Sequence, residues 1–439
     1  MAINFYDIAY GFGVGISAPV WIVRSKTRKK VLDAFSQRMG HVAPRAGQSR
    51  AVMIHAVSVG ELNASRTLID QLKATDPGLQ LIISTTTETG YQRSQELYAE
   101  RDDITLIHYP LDFTGAVVRV LDCLKPSLVV LMELELWPNF IAQCWLRQIP
   151  VVLANGRITA PSFRNFKIGS LLTKRMFSRL SAIGAQEQTY ADRFLELGAD
   201  PAKTTVTGTM KFDTAPASAD VPGTPDLARD MQLASPLWVC GSTGPGEEEI
   251  VLDVYKRLLV DFPDLQLAII PRKPDRFDEV AGLIEQRGFN CVRRTSPAPA
   301  TRDPQLPTVV LGDTMGELRK FFALADVVFV GRTLVDLGDK QHGSDMIEPC
   351  AIGKPAIVGP FTGNFIEPMN AFRAAQAITE VTSADDLHDA VAKLLRDPGE
   401  TGTRAQQVVA QQRGATARTM MLIEPLLRAE LSLAAPETA

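Results

Sequence analysis

The chain has 439 residues, of which 45% are hydrophobic and 22% are charged, and its formal net charge at pH 7 is −4. This composition is typical of a globular protein, and the length predicts two domains because single hydrophobic cores stop growing at a smaller size. The charge balance argues against a nucleic-acid partner. The five cysteines are scattered without paired spacing and the five histidines are dispersed, so we predict neither disulfides nor a metal cluster.

An apolar run near the N-terminus predicts a membrane-anchor segment over residues 1–30. Residues 5–23 are mostly apolar, and a basic cluster follows them at 24–30. A helix over this run would be about 28 Å long, just enough to cross a bilayer core. Because the basic cluster follows the run, a signal peptide is disfavoured and the cations are expected on the cytoplasmic side. Asp7 and Pro19 weaken a spanning helix, so an interfacial helix is an alternative, and an amphipathic helix packed on the first domain is a third.

Residues 31–213 alternate apolar, β-branched runs with stretches of helical periodicity, and we assign them to an N-terminal domain. The predicted strands begin with the apolar run after Arg50 and continue at 79–86, 104–108, 127–132 and 151–154, with a helix near 91–100. This alternation predicts a doubly wound parallel sheet with right-handed crossovers. Ligands bind at the carboxyl edge of such sheets, so the residues after each strand are the candidates for function.

Glu61 lies in the first turn of the helix predicted after the opening strand. Taken alone, it is explained by the favourable interaction of a carboxylate with the positive end of the helix dipole. Its place at the carboxyl edge of the predicted sheet also makes it a candidate site residue.

A second strand end carries the sequence E-L-E-L-W-P-N at 133–139. Glu133 and Glu135 follow a buried strand, and burying a carboxylate is unfavourable unless it is paired or protonated. We expect one of the two to cap the next helix and the other to face the site, and the sequence does not choose between them. Lys211 lies in the turn that closes the domain, where a lysine is usually only solvated.

Residues 214–236 are rich in Pro, Ala, Asp and Ser and are predicted to be a linker. The strand–helix pattern then restarts, so 237–404 are assigned to a second Rossmann-like domain and 405–439 to closing helices and a tail. The predicted elements are strands at 237–243, 265–271, 327–330 and 356–359 and closing helices at 385–396 and 405–433.

Charged residues again follow the strands of this second domain. Glu247, Glu248 and Glu249 open a predicted helix, where three acids suit the helix dipole but would repel a phosphate. We therefore expect a phosphate to bind elsewhere. Arg272 follows a predicted strand, and its guanidinium offers a planar fork to a carboxylate or a phosphate.

Two later helix starts are further candidates. Thr314 and Glu317 have the spacing of a capping box, which predicts that a helix begins there. Free backbone amides at Met315 and Gly316 would also suit a phosphate or a nucleotide. Glu348 opens another predicted helix, and in two-domain sugar-nucleotide enzymes a glutamate at this point binds the nucleotide ribose.

Seven motifs occur along the chain in a characteristic order. They are H-A-V-S-V-G-E at 55–61, E-L-E-L-W-P-N at 133–139, G-T-M-K-F-D at 208–213, G-E-E-E at 246–249, P-R-K-P-D-R-F at 271–277, G-D-T-M-G-E-L at 312–318 and E-P-C-A-I-G-K-P at 348–355. In this order they resemble the motifs of the 3-deoxy-D-manno-octulosonic acid (Kdo) transferases of lipopolysaccharide assembly, over nearly the whole chain.

The resemblance implies an α/β GT-B glycosyltransferase fold, with two Rossmann-like parallel-sheet domains facing a central cleft. It implies transfer of Kdo, with inversion, from CMP-Kdo to a lipid A precursor (lipid IVA) at the cytoplasmic face of the inner membrane. Inner-membrane lipids are then expected partners, while no cofactor or metal is expected for the chemistry and no nucleic acid as a partner.

Roles follow from the motifs residue by residue. Glu61 resembles the general base, while Lys211 and one of Glu133 and Glu135 resemble transition-state stabilisers. The positions that match CMP-binding residues are Pro271, Arg272, Met315, Gly316, Glu317, Asp345, Met346, Ile347 and Glu348.

The sequence departs from the family pattern at the nucleotide positions. Arg332 stands where relatives usually have glycine, Asp345 replaces an amide, and His342 is displaced by an insertion. A carboxylate cannot donate the hydrogen bond that an asparagine donates. The leading alternative is therefore a GT-B transferase for another nucleotide-activated sugar. A different class is a sugar-nucleotide epimerase of similar two-domain build, which would not need the N-terminal membrane segment. A catalytically inactive binding protein is disfavoured because Glu61, Arg272 and Glu348 are all retained.

Overall fold

The computed structural model describes residues 4, 6–8, 10–12, 34–45, 47, 49–215, 218, 220–296, 303, 305–338 and 343–434. Apart from seven positions, the predicted anchor segment 1–30 lies outside the described residues, as does His342. Among the helices that the structure does describe, none combines the length and the apolar character needed to cross a membrane. The chain divides into two compact units, Met1–Thr214 with Arg413–Ala439, and Ala215–Gln412.

The first unit is built on seven parallel strands. They are β1 (Ala51–His55), β2 (Gln80–Thr85), β3 (Ile104–His108), β4 (Leu128–Met132), β5 (Val151–Gly156), β6 (Ala182–Ala185) and β7 (Thr204–Val206). Their order in the sheet is β3-β2-β1-β4-β5-β6-β7. All neighbours pair in parallel, which confirms the predicted doubly wound sheet.

Helices cover both faces of this sheet, which explains why its strands are almost entirely apolar. They are α1 (Val59–Thr75), α2 (Glu88–Tyr98), α3 (Thr114–Leu124), α4 (Pro138–Leu146), α5 (Ala160–Ile168), α6 (Ser170–Phe177), α7 (Gln188–Glu196) and α8 (Lys211–Thr214). Side chains of β1 alternate between the two layers. Met53 packs in the layer that contains Phe140 of α4, whereas Val52 and Ile54 pack in the layer that contains Leu68 of α1.

The second unit repeats this architecture. Its strands are β8 (Leu237–Thr243), β9 (Gln266–Pro271), β10 (Asn290–Arg293), β11 (Thr308–Leu311), β12 (Val327–Val330), β13 (Ala356–Val358) and β14 (Thr379–Glu380). Their order is β10-β11-β9-β8-β12-β13-β14, again all parallel. The helices are α9 (Thr224–Met231), α10 (Glu247–Leu258), α11 (Phe277–Gln286), α12 (Leu318–Leu324), α13 (Ile347–Ala351), α14 (Ile366–Ala374), α15 (Ala384–Arg396) and α16 (Thr401–Gln412).

The closing region, where helices are predicted within 405–433, is divided by a junction. The chain makes two helices, α16 and α17 (Ala415–Ala434), separated at Gly414, which adopts a φ of +93°. Asp213 fixes this junction, because its carboxylate accepts the backbone N–H groups of Gly414 (2.7 Å) and Thr416 (2.6 Å). Helix α17 then packs on the first unit, where Ile423 joins the apolar layer of α1. The second unit is thus inserted into the first, so the units do not divide at 404 and 405.

The predicted capping box at Thr314 and Glu317 is also wrong as a helix start. The Thr314 hydroxyl does donate to the Glu317 carboxylate (2.6 Å), but α12 begins only at Leu318. Gly316 between them has a φ of +86°, outside the helical region, so the chain turns before the helix begins.

Candidate active site

The first candidate region lies where the strand order of the first unit reverses. From β1 the chain proceeds outward to β2 and β3, and it then returns to the other side of β1 to form β4. The crevice at the carboxyl ends of such a pair is the usual ligand site of a doubly wound sheet. Glu61 follows β1, and Glu133 and Glu135 follow β4, so the three acids predicted from sequence lie at this reversal.

Glu61 has a clear local role in its helix. Ser58 is the N-cap of α1, and its hydroxyl accepts the N–H of Glu61 (3.4 Å). In return, the Glu61 carboxylate accepts the N–H of Val57 (2.8 Å) and the hydroxyl of Ser58 (3.0 Å). The arrangement resembles a reciprocal capping box, and it fixes the half-buried carboxylate at the sheet edge.

Burial raises the pKa of Glu61 to about 8, and the nearby charges of Glu133 and, more weakly, Glu135 raise it as well. The hydrogen bonds from Val57 and Ser58 act in the opposite direction without overcoming these effects. A carboxylate so perturbed binds a proton far more strongly than an exposed glutamate does. It is therefore a suitable general base near neutral pH.

The loop after β4 is unusual in its backbone. Glu133 has a φ of +57°, a conformation rare for residues with a side chain, while its N–H still donates to the carbonyl of Ala154 (3.0 Å). Glu135 accepts a hydrogen bond from the indole N–H of Trp137 (3.0 Å). Burial raises the pKa of Glu135, and the charge of Glu133 raises it further.

Neither of these two glutamates caps the next helix, contrary to the prediction. The N-cap of α4 is Trp137, which makes no capping hydrogen bond. The cap comes instead from Asp112, whose carboxylate accepts the N–H groups of Asn139 (3.0 Å) and Phe140 (2.8 Å). Both Glu133 and Glu135 therefore remain in the candidate site.

Lys211 is placed by a neighbouring strand end. Asn155, buried at the end of β5, accepts the N–H of Met210 (3.0 Å) through its side-chain carbonyl. This contact holds the start of α8, where Lys211 lies, and α8 packs against α1. The helix that carries Lys211 is thus in contact with the helix that carries Glu61.

An apolar cavity of about 380 Å³ borders this group of residues. Its lining includes Glu135 and Trp137 from the loop after β4, together with Phe166 and Leu172 from α5 and α6. A cavity of this size, mostly apolar with a few polar groups, is typical of a small-molecule site.

The second candidate region lies at the corresponding reversal in the second unit, between β8 and β12. Gly331, after β12, approaches β8 so closely that a Cβ there would lie 2.4 Å from the Cα of Thr243. On the other side of β8, Arg272 follows β9, and its N–H donates to the carbonyl of Thr243 (3.0 Å). The adjacent strands β9, β8 and β12 therefore bring Arg272, Thr243 and Arg332 to the same edge of the sheet.

The acids that open α10 are structural. Glu247 is fully buried, and its carboxylate accepts the N–H groups of Gly244 (2.9 Å), Arg332 (2.5 Å), Thr333 (2.9 Å) and Leu334 (2.9 Å). Glu248 forms a buried bidentate pair with Arg276 (2.7 and 3.2 Å), and Glu249 pairs at the surface with Arg287 (3.2 Å). All three carboxylates of this turn therefore have partners within the fold.

Glu348 and Arg272 are two of the predicted CMP-binding residues, and the charge of Arg272 affects the pKa of Glu348. Burial raises the pKa of Glu348 to about 7, the charge of Asp345 adds to this, and the charges of Arg319 and Arg272 oppose it. Arg272 is exposed. Asp345 accepts the N–H of Ile347 (2.8 Å), so the carboxylate that replaces an amide in the sequence motif serves the start of α13.

The predicted nucleotide residues around Gly316 are arranged differently. Met315 is 64% exposed, and a Cβ at Gly316 would meet only open space. The carboxylate of Glu317 forms ion pairs with Arg294 (3.0 Å) and Lys320 (3.0 Å). Burial by itself would raise the pKa of Glu317. The hydrogen bonds from Arg294, Thr314 and Lys320 nevertheless lower this pKa to about 2.

Sequence reasoning missed Asp112 and the role of Glu247. Asp112 lies two residues before the start of α3, and its partners are 27 and 28 residues further along the chain. The sequence places Glu247 in the first turn of a helix, but it does not show that this carboxylate accepts four backbone N–H groups. Within the described residues, no three side chains of His, Cys, Asp or Glu are grouped so as to hold a metal ion.

Two doubly wound sheets, each with charged residues where its strand order reverses, define the fold class of GT-B glycosyltransferases and of related sugar-nucleotide epimerases. The chain is similar to a glycosyltransferase from Rickettsia africae (12% identity, 87% of this chain and 99% of that one, TM-score 0.53). It is equally similar to the UDP-GlcNAc 2-epimerase from Neisseria meningitidis (14% identity, 86% and 100%, TM-score 0.53). At these identities the likeness concerns the fold alone.

The sequence comparisons are more specific. The family model described as 3-deoxy-D-manno-octulosonic-acid transferase (kdotransferase) matches residues 33–214. The 3-deoxy-D-manno-octulosonic acid transferase of Haemophilus influenzae is 34% identical over 86% of this chain and 87% of its own length. The chain belongs to the Kdo transferase family, and the resemblance predicted from its motifs is confirmed.

Proposed function

We propose that this chain is an inverting glycosyltransferase that moves Kdo from CMP-Kdo to a lipid A precursor, lipid IVA, during lipopolysaccharide synthesis. Family membership supports transfer of Kdo. The observation that carries the mechanism is the group of carboxylates at the strand reversal of the first unit, where burial and Glu133 together give Glu61 the pKa of a base that works near neutral pH.

The chemistry requires three functions. The donor is already activated, so the enzyme removes a proton from an acceptor hydroxyl, stabilises an oxocarbenium-like centre and balances the charge of the departing CMP. Glu61 takes the proton as the hydroxyl oxygen bonds to the anomeric carbon and the bond to the CMP phosphate breaks. Glu133 or Glu135 and Lys211 stabilise the transition state, and Arg272 meets the phosphate charge.

A lipid acceptor is supported by the surface around α5 and α6. Helix α5 has no buried residue, and Ile168 and Leu171 are 86% and 89% exposed. Lys174 and Arg175 are exposed on the neighbouring helix, and the apolar cavity at Glu135 lies beside these elements. Exposed apolar side chains next to cations favour an anionic lipid surface. We propose that this face meets the cytoplasmic side of the inner membrane.

The test is incubation of the purified full-length protein with CMP-Kdo and a tetra-acylated lipid A precursor, followed by mass spectrometry of the lipid. The wild-type protein should add Kdo. Glu61→Gln should lower the rate at least about a hundredfold while CMP-Kdo binding is retained. Asp70→Asn, an exposed acid on the same helix, is the matched control and should be fully active. Normal turnover by Glu61→Gln would refute the role of Glu61, and an unmodified lipid with the wild-type protein would refute the function.

The departures at Arg332 and Asp345 favour one second candidate, a GT-B transferase for another nucleotide-activated sugar. Thermal-shift ranking of CMP, UDP and GDP distinguishes the two, because stabilisation by bound ligand follows affinity. A preference for UDP would support this candidate. An epimerase would instead isomerise the donor without any lipid acceptor, and because the two epimers have the same mass, chromatographic separation or NMR spectroscopy of the donor would detect the change.

A further inference from the structure

Four backbone amides in the loops at the reversal between β8 and β12 already have an acceptor within the protein. The Glu247 carboxylate already accepts the N–H groups of Gly244, Arg332, Thr333 and Leu334. In many doubly wound sheets, such amides bind the phosphate of a nucleotide. In this chain a carboxylate that belongs to the protein binds these four amides, so they are not available to a phosphate.

The backbone around Arg332 holds this residue at the strand reversal, where its side chain would meet a bound phosphate. It has a φ of +60°, a left-handed conformation that is unfavourable for arginine, and Glu247 fixes its N–H at 2.5 Å. The close approach of Gly331 to Thr243 carries Arg332 over the end of β8. Its aliphatic stem lies beside Gly244, where an added Cβ would be 2.9 Å from the Arg332 Cγ.

The guanidinium of Arg332 is only partly used by the fold: the charge of Glu247 favours its ionised form, but one of its N–H groups has no acceptor among the described residues. Its side chain is half-buried, and its Nε is buried without a hydrogen-bond acceptor among the described residues. Burial lowers the pKa of Arg332 and the nearby charge of Arg272 lowers it further, while the charge of Glu247 acts in the opposite direction. The positive charges of Arg272 and Arg332 repel each other, and the buried N–H of Arg332 lacks an acceptor among the described residues. An anion bound between these two guanidiniums would offset the repulsion and accept that N–H.

We propose that Arg332 and Arg272 together bind the phosphate of the nucleotide donor, with Arg332 supplying the contacts that backbone amides supply elsewhere. The proposal rests on the proposed function for the identity of the donor, but every contact that defines the anion site lies within the second unit. Strain at Arg332 is then explained by function, because the left-handed backbone aims a long cationic side chain at the strand reversal.

The experiment compares binding of CMP with binding of cytidine, which lacks the phosphate, by calorimetry and competition. Arg332→Gly suits the left-handed backbone and should fold. It should lose affinity for CMP roughly ten- to a hundredfold and keep the affinity for cytidine. Arg332→Lys should recover part of the loss, since a point charge replaces the planar fork. Gln232→Gly makes the same backbone change at another residue of positive φ (+53°) and should change neither affinity.

Unchanged CMP affinity in Arg332→Gly would overturn the proposal, and so would an equal loss for CMP and cytidine, which would indicate a structural role. If the wild-type protein prefers a uridine or guanosine nucleotide, the CMP-Kdo function fails, and the same comparison with that nucleotide and its nucleoside still decides the role of Arg332. A wild-type protein that binds no nucleotide overturns both.

Discussion

The carboxylate of Glu247 and the backbone of Arg332 are joined by a 2.5 Å hydrogen bond across 85 residues of sequence. With three further N–H groups on the same carboxylate, this contact ties the start of α10 to the loop after β12. One buried side chain therefore sets the geometry of the strand reversal in the second unit.

Replacing Glu247 should destabilise that unit. Glu247→Gln puts an N–H₂ group against backbone donors, and we expect the free energy of unfolding to fall by about 3 kcal/mol or more. Glu249→Gln, in the same turn but paired at the surface, should change it by less than about 1 kcal/mol. Chemical denaturation monitored by fluorescence measures both. Equal stability of the two variants would contradict the structural role of Glu247.

The pH dependence of transfer should report the ionisation of Glu61. Only the deprotonated carboxylate accepts a proton, so kcat/KM should rise with pH and level off above the pKa of about 8. Glu133→Gln removes a like charge and should move this rise to lower pH. Glu135→Gln should move it less, because its charge has the weaker effect. A pH profile that both variants leave in place would show that these carboxylates do not interact with the base.

Asp112 should matter for both stability and activity. Its pKa is raised by burial to about 7, and it caps α4, the helix that follows Glu135 and Trp137. Asp112→Ala should lower the free energy of unfolding by about 2 kcal/mol and reduce turnover by loosening this loop. Asp122→Asn, an exposed acid paired with Arg147, should have little effect on either. Thermal unfolding and initial rates test this, and full activity of Asp112→Ala would contradict the positioning role.

Gly331 should tolerate no side chain. A Cβ would meet the Cα of Thr243 at 2.4 Å and the carbonyl oxygen of Ser242 at 2.7 Å, so Gly331→Ala has to separate β12 from β8. We expect a loss of at least about 2 kcal/mol of stability and of nucleotide binding. Gly282→Ala in α11 meets open space and should stabilise the protein by about 0.5–1 kcal/mol. Differential scanning calorimetry and a CMP titration compare the two variants. Normal CMP binding by Gly331→Ala would contradict the prediction.

The elements that sequence reasoning predicted well are those whose signal is local. The strand expected at 127–132 is β4, Leu128–Met132, because an unbroken apolar run bounded by polar residues has few other structures available. The placement of Glu61 after β1 and of Arg272 after β9 followed from the same strand ends. The fold class was confirmed for this reason, while the catalytic and nucleotide roles and the membrane anchor stay predictions.

What the sequence did not reveal depends on contacts between distant residues. The capping of α4 by Asp112 and the fixing of Arg332 by Glu247 have no signature in either segment alone. The division between α16 and α17 depends on Asp213, which lies 201 residues before Gly414. Periodicity reports how a segment folds, but not which remote side chain satisfies its backbone.

The return of α17 to the first unit also constrains the order of folding during synthesis. Residues such as Val52 and Ile54 emerge early from the ribosome, yet part of the apolar layer that covers them, including Met420, Ile423 and Leu427, is translated after the whole second unit. The inserted unit can therefore become compact first, although domains usually fold from the N-terminus onward. In a nascent chain halted at residue 412, the apolar side chains that α17 covers would stay exposed. Exposed apolar surface of this kind is bound by chaperones.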